Sequence, residues 1–288
     1  MKIAAYITAY EDPDAVQECL AGIEQQSYPV EAIIIVDNSA QHPLSSSQLD
    51  TTLPLIIHAY PKNIGVAGGL RVGLAWAMEQ NYDFLWTFDQ DSLPSADCLE
   101  QLVNTYQHYH SPSYPLGMVA PTAIDLTTQT PITGANFVKD QFIGYQPDNP
   151  TTAYECDAPI TSGALVSLSA AREVFSHSPL ASLFIDGVDF EYGMSLKQKG
   201  YHHLIVPKAR LNHRFGSPIT VQWRGESKQL YVYSALRYYY ICRNYTYLAL
   251  RYAQGTNRLC ALKRRLKSLL KTSLLICLFD PSDYKRKK

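Results

Sequence analysis

Strand and helix signals alternate through the first hundred residues, and this alternation predicts an α/β protein with a mostly parallel central sheet flanked by helices. Two further observations agree with that class. Residues 32–36 are a continuous apolar run too short for a helix, as a strand buried on both faces requires, and residues 84–88 read as another buried strand. At the other end of the chain, residues 257–279 repeat leucine at helical spacing among Lys and Arg, which predicts a helical extension after the α/β body.

Taken in order, Ile3–Ala9 reads as the first strand and residues 14–25 as a helix with Asp14 near its start. Residues 32–36 and Leu55–Ala59 are the second and third strands. Residues 68–80 carry a helical pattern, and 84–88 form a fourth strand. Residues 122–159, rich in Thr, Pro, Gly and Asn, read as hairpins and loops. Residues 160–169 are expected to return to a strand, 189–199 to form a helix and 202–206 a further strand. Beyond Arg224 the chain reads as helical and aromatic.

The 288 residues, 46% of them apolar, suffice for one large α/β domain with a helical tail. Met1-Lys2 runs directly into the first strand and then into Glu11, Asp12 and Pro13, so a cleavable signal peptide is not expected. No stretch approaches the roughly 20 apolar residues of a membrane span. Six cysteines at 19, 98, 156, 242, 260 and 277 form no CxxC pair, which suits reduced cytoplasmic thiols. Net charge is −1, unevenly spread. Residues 251–288 hold eleven Lys/Arg against two Asp/Glu, and the remainder fourteen against twenty-four. A basic tail on an acidic body points to a polyanionic surface.

In open sheets of this kind ligands bind beyond the carboxyl ends of the strands. Those ends carry Thr8-Ala9-Tyr10-Glu11, Asp37-Asn38-Ser39, Asn63-Ile64-Gly65 and Asp89-Gln90-Asp91. Two carboxylates two residues apart beside a buried strand repel each other, and a divalent cation removes that cost. A solvated loop is the plain alternative. The glycines of NIGVAGGLRVG, residues 63–73, permit close backbone approach at a helix start, suited to a phosphate or simply to tight packing. The pattern is not GxGxxG and follows the third strand, which argues against a dinucleotide fold. Asp37 and Asn38 are able to bond a base or ribose and are also ordinary turn formers. Asp186, Asp189 and Glu191 cluster at a loop-to-helix junction, where Asp189 is either a helix cap or a general base. His213 follows a strand as a candidate ligand or a structural histidine.

Together the motifs TAYE, VDNS, NIGVAGGLRVG, TFDQDS, FIDGVDFEYG, NHRFG and RYYYICRN, in that order over residues 1–250, resemble glycosyltransferase family 2 and its bacterial rhamnosyltransferase-like branch. The resemblance implies a GT-A nucleotide-binding fold over residues 1–225, followed by a basic amphipathic extension over 226–288. It implies a donor pocket lined by Thr8, Tyr10, Glu11, Asp37, Asn38, Asn63, Gly65, Gly69 and Asp89, and Mn²⁺ or Mg²⁺ held by Asp91, His213 and Asp89. It also implies Asp189 as catalytic base, Glu191 orienting the acceptor, and Ser162 and Gly163 in an acceptor-side loop. The expected reaction is inverting transfer of a sugar, L-rhamnose from dTDP-L-rhamnose or a sugar from a UDP-sugar, to a glycan or lipid-linked acceptor in cell-surface polysaccharide synthesis. A non-catalytic module of the same fold would have no need of Asp91, Asp189 and His213. A nucleotidyltransferase would need an early basic phosphate clamp, which residues 8–14 do not supply.

The 257–279 helix suits an anionic membrane surface, with the Lys/Arg run at 285–288 adding attraction, and this implies a peripheral place on the inner face of the cell membrane. The alternatives are packing on the domain with a solvated basic face, or a homodimer contact. No nucleic-acid-binding module accompanies the basic stretch, so nucleic acid is not an expected partner.

Overall fold

The computed structural model describes residues 1–148, 150–214, 218–223, 226–231 and 233–278. In chain order the elements are β1 (Ile3–Ala9), α1 (Pro13–Glu24), β2 (Ala32–Asp37), β3 (Leu55–Ala59), α2 (Gly65–Glu79), β4 (Phe84–Asp89), β5 (Ser92–Pro94), α3 (Cys98–Tyr109), β6 (Leu116–Asp125), β7 (Pro131–Ile132), β8 (Ala135–Val138), β9 (Gln141–Gly144), β10 (Tyr154–Glu155), β11 (Leu165–Ser167), α4 (Leu168–Val174), α5 (Val188–Gln198), β12 (His202–His213), β13 (Pro218–Trp223), β14 (Glu226–Tyr231), α6 (Ala235–Tyr252) and α7 (Asn257–Leu278).

These elements form two compact units. The first comprises Met1–Asn136, Ile143–Phe184 and Val188–Arg214. Its main sheet has the order β10-β12-β6-β11-β4-β1-β2-β3. Pairs β1–β2, β2–β3, β1–β4 and β6–β12 are parallel, and β11 is inserted antiparallel between β4 and β6. Every residue of β1 and β2 is buried, which is why their sequences are mostly apolar rather than alternating, with Thr8 and Asp37 as polar residues at their carboxyl ends. Ile3, Ala5 and Ile7 of β1 pack with Val16, Leu20 and Ile23 of α1 on one face. Ala4 and Tyr6 pack with Leu70 and Leu74 of α2 on the other. Helix α1 starts at Pro13 because Asp12, at the N-cap, accepts the Ala15 N–H at 3.1 Å.

The second unit comprises Phe137–Phe142, Ile185–Gly187 and the described part of Phe215–Lys288. It contains the β13–β14 hairpin and helices α6 and α7. The 225/226 boundary read from the sequence therefore falls within this unit, which also takes in two short segments from earlier in the chain.

Three expectations need correcting. Residues 160–169 are not one strand: only Leu165–Ser167 pair, and the chain enters α4 at Leu168. The stretch just beyond Arg224 is a strand, with helix starting at Ala235. Helix α2 begins at Gly65, three residues earlier than the pattern suggested, because its first turn is built from glycines with no periodic apolar signal. The 285–288 basic run, with Phe215 and Gly216 of the NHRFG motif, lies outside the described residues.

Candidate active site

The carboxyl ends of β1, β2 and β4 lie side by side, with Ala9 paired to Asp37 and Thr8 to Asp89. The parallel register thus gathers the polar ends of three separate sequence motifs. After Asp89 the chain turns back at once into β5, whose Ser92 pairs with His213 at the end of β12. That reversal brings Asp91 within 3.4 Å of His213, Asp91 Oδ1 facing His213 Nδ1.

A chain of hydroxyls ties this corner together. The Asp89 backbone N–H donates to Ser162 Oγ at 3.0 Å, Ser162 Oγ lies 2.7 Å from Ser92 Oγ, and Ser92 Oγ lies 2.8 Å from His213 Nδ1. Ser92 and Ser162 are buried, while Asp91 is about a third exposed. The buried hydroxyls therefore fix the imidazole and the strand end, and the carboxylate of Asp91 faces water. Beneath them, burial together with the charges of Asp91 and Asp89 pushes the Cys19 thiol well above its ordinary range, so it stays neutral.

A carboxylate oxygen beside an imidazole nitrogen suits Mn²⁺ or Mg²⁺. Among the described residues no group of three His, Cys, Asp or Glu side chains gathers. Asp91 and His213 meet there as a pair.

Asp189 sits in the first turn of α5. Thr161 donates both its backbone N–H, at 2.8 Å, and its hydroxyl to Asp189 Oδ1. Two donors on one oxygen hold the carboxylate in a single orientation. Asp186, the other candidate base in the same motif, has both oxygens engaged by the Arg237 guanidinium at 3.1 and 3.2 Å. Asn244, fully buried, donates to the carbonyls of Ile185 and Asp186 at 2.8 Å each. The RYYYICRN motif on α6 therefore clamps residues 185–187, with Asp186 as the ion-pair partner of Arg237.

Glu191 is not where the sequence reading put it. Its side chain is fully buried and accepts from Ser178 Oγ at 2.9 Å, the Leu180 N–H at 3.1 Å and Ser195 Oγ at 2.9 Å. A carboxylate so enclosed holds the 178–180 segment against α5 and has no face for an acceptor. Ser162 and Gly163, expected on the acceptor side, are likewise buried. Gly163 has φ +78° and accepts from Trp86 Nε1 at 2.9 Å, and a side chain there would collide with Pro121 and Leu211. Both residues support the β4 end from below.

The donor-side residues divide in the same way. Tyr10 is 56% exposed, and its backbone N–H and C=O are both held by the Gln90 side-chain amide, at 2.6 and 3.1 Å. Thr8 is nearly buried, beside Gly69. Glu11 has φ +55° and its carboxylate accepts from the backbone N–H groups of Ala40, Gln41 and His42, which lower its pKa to about 2. Asp37 is fully buried and accepts from the Ser39 and Leu44 N–H groups at 2.9 and 2.7 Å. Asn38 accepts from the Ile64 N–H at 2.9 Å, and the exposed Asn63 from the Gly65 N–H at 2.7 Å. Glu11, Asp37 and Asn38 thus hold the loops that follow β1, β2 and β3.

The glycines at the start of α2 admit protein atoms. At Gly65, φ +72°, a Cβ would lie 2.4 Å from the Phe184 carbonyl oxygen, which accepts the Ala67 N–H at 3.1 Å. At Gly69 a Cβ would lie 2.6 Å from the Tyr6 hydroxyl. The phosphate-cradle expectation gives way here to close packing of α2 on β1 and on residue 184.

Ser92, Thr161 and Gln90 escaped the sequence reading. Ser92 and Gln90 adjoin the noted acids. The signal missing from the sequence is their partners, 121 and 80 residues away.

Residues 5–158 match the sequence profile described as Glycosyl transferase family 2. The chain is 25% identical over 256 residues to the dTDP-rhamnosyl transferase RfbF of Shigella flexneri, covering 88% of this chain and 80% of that one. Among solved structures it is similar to Staphylococcus aureus TarS 1-349 in complex with UDP-GlcNAc, with TM-score 0.56, 13% identity and coverage of 99% of this chain and 78% of that one. It is also similar to GalNAc-T7 with UDP, GalNAc and Mn²⁺, with TM-score 0.60, 12% identity and coverage of 86% and 47%. The chain spans less than half the length of GalNAc-T7 and of the longer TarS chain. At these identities the likeness speaks for the fold alone, and that fold is GT-A.

Proposed function

The chain belongs to glycosyltransferase family 2, and on that premise we propose that it transfers L-rhamnose from dTDP-L-rhamnose, with inversion, to a polysaccharide or lipid-linked glycan acceptor in cell-surface polysaccharide synthesis. The observation that carries the reading is the corner at which Asp91 and His213 meet across strand ends, beside Asp89 and the Ser92–Ser162 hydroxyl chain. The RfbF likeness supports the donor sugar.

In this reading the nucleotide lies over the carboxyl ends of β1, β2 and β4. The exposed ring of Tyr10 offers a flat face to the base, and Asn63 offers polar contacts near the ribose and phosphates. Asp91 and His213 would hold Mn²⁺ or Mg²⁺ beside the β4 end that carries Asp89, and such an ion supplies neutralisation of charge on the diphosphate. Ser92 and Ser162 keep His213 and the β4 end in register. Asp189, held by Thr161, takes the proton of an acceptor hydroxyl. The acceptor oxygen then bonds to the anomeric carbon as the carbon–oxygen bond to the diphosphate breaks. One displacement with no covalent enzyme intermediate inverts the configuration.

A UDP-sugar is the second reading, favoured by the UDP and UDP-GlcNAc complexes among the similar structures. The test is single-turnover hydrolysis and transfer with dTDP-L-rhamnose, UDP-glucose and UDP-GlcNAc in Mn²⁺. Turnover of dTDP-L-rhamnose above the others supports the proposal. Turnover of a UDP-sugar alone replaces the donor, and turnover of none removes the enzyme reading for these donors.

A further inference from the structure

Helix α7 faces the opposite way from a helix that buries its apolar stripe. Ala261 is fully buried, clustering with Ala249 of α6 and with Ala253 just after that helix, and Arg265, Ser268 and Thr272 follow it on the half-buried side. Arg264 pairs with Asp140 at 3.0 Å. Leu259, Leu262, Leu266, Leu269, Leu270 and Leu274 are instead exposed by 46–64%. At 100° per residue these six leucines occupy one arc of roughly 140° opposite Ala261. Lys263, Lys267 and Lys271, spaced four residues apart, line one edge of that arc. A contiguous leucine face left in water is unfavourable, and the packed side of α7 carries Ala261, Arg265, Ser268 and Thr272 instead of the leucines.

Charge decides what covers it. No Asp or Glu occurs between Arg251 and Phe279, and residues 251–288 carry eleven basic side chains against two acidic ones. A second copy would bring two like-charged rows together around the leucines. A bilayer with anionic headgroups meets both features at once: the leucines enter the headgroup–acyl boundary while the lysine stems extend along it with their ammonium groups among phosphates. No described helix is long and apolar enough to cross a membrane, so the contact is in the plane of the surface. We propose that the leucine face of α7 is an interfacial docking surface for an anionic lipid bilayer. The proposal is independent of which donor or acceptor the active site uses.

The test is flotation of the full chain with vesicles of phosphatidylcholine alone and of phosphatidylcholine and phosphatidylglycerol in equal parts. The expected result is binding to the anionic vesicles and little to the neutral ones. Combined Leu259→Gln, Leu266→Gln and Leu270→Gln should weaken that binding by roughly tenfold or more, with melting temperature and helicity unchanged, because these side chains are already exposed. Combined Lys263→Glu, Lys267→Glu and Lys271→Glu should weaken it by roughly a hundredfold or more and abolish the preference for anionic lipid. The proposal is overturned if the wild-type chain does not float. It is also overturned if the leucine variant floats as the wild type does, or if sedimentation shows a wild-type dimer that the leucine substitutions split.

Discussion

Replacing Asp189 by Asn removes the charge and keeps the shape. In the native chain Oδ1 accepts two hydrogen bonds from Thr161, and the carbonyl oxygen of an Asn can accept the same two. Exchanging a charged acceptor for a neutral one weakens each bond by about 1 kcal/mol, so the variant should fold with about 2 kcal/mol less stability. What it cannot do is take a proton. A positioned general base contributes about 10²–10⁴ in rate, or about 3–5 kcal/mol of barrier, and turnover should fall by that factor. Donor affinity, measured by calorimetry, should stay within about threefold, because the proposed base acts on the acceptor hydroxyl. The assay is radiolabelled sugar transfer at saturating donor, run beside a melting curve. Turnover within about threefold of wild type, with the variant folded, would refute the base assignment.

Two other perturbations separate structural from chemical carboxylates and histidines. Glu191→Ala strands two hydroxyls and an N–H in the interior, at about 3–5 kcal/mol in all; it should lower the melting temperature by about 10 °C and leave the acceptor KM of the folded enzyme unchanged. A raised acceptor KM at unchanged melting temperature would return Glu191 to the acceptor site. His203 is fully buried, with Nε2 donating to the Gly193 carbonyl at 2.9 Å, and burial pushes its pKa from 6.5 down to about 4. Between those values the unfolded chain binds a proton that the folded chain refuses. Stability should therefore fall by about 3 kcal/mol as pH drops from about 6.5 to about 4, and His203→Gln should flatten that slope in pH-dependent denaturant melts. An unchanged slope would show that other groups carry it.

The parallel strands were legible because burial on both faces leaves a mostly apolar run with a polar end, and the candidate site residues sit at those ends. Asp89-Gln90-Asp91 and the FIDGVDFEYG carboxylates were visible for the same reason. Which carboxylate does what was not. Asp186 and Asp189 are three residues apart in one motif, and what separates them is Arg237 on one and Thr161 on the other. Glu191 read as one of three acids at a loop-to-helix junction, and only the fold supplies Ser178 and Leu180. The α2 glycines were equally ambiguous, since a residue with no side chain gives the same signal whether a phosphate or the Phe184 carbonyl approaches it. Helix α3 went unread because its buried residues, Cys98, Leu99, Leu102 and Val103, are confined to its first half and its second half is polar.

The central claim is that a nucleotide diphosphate and a divalent cation meet at the Asp91–His213 corner. The most direct measurement is calorimetric titration of dTDP, UDP and GDP into the full chain with and without Mn²⁺, repeated on Asp91→Ala. The account predicts that dTDP binds tightest, that chelation weakens it by about tenfold or more, and that Asp91→Ala binds equally with and without the metal. Binding of dTDP with equal affinity in Mn²⁺ and in chelator, or Mn²⁺ dependence that survives in Asp91→Ala, would contradict it.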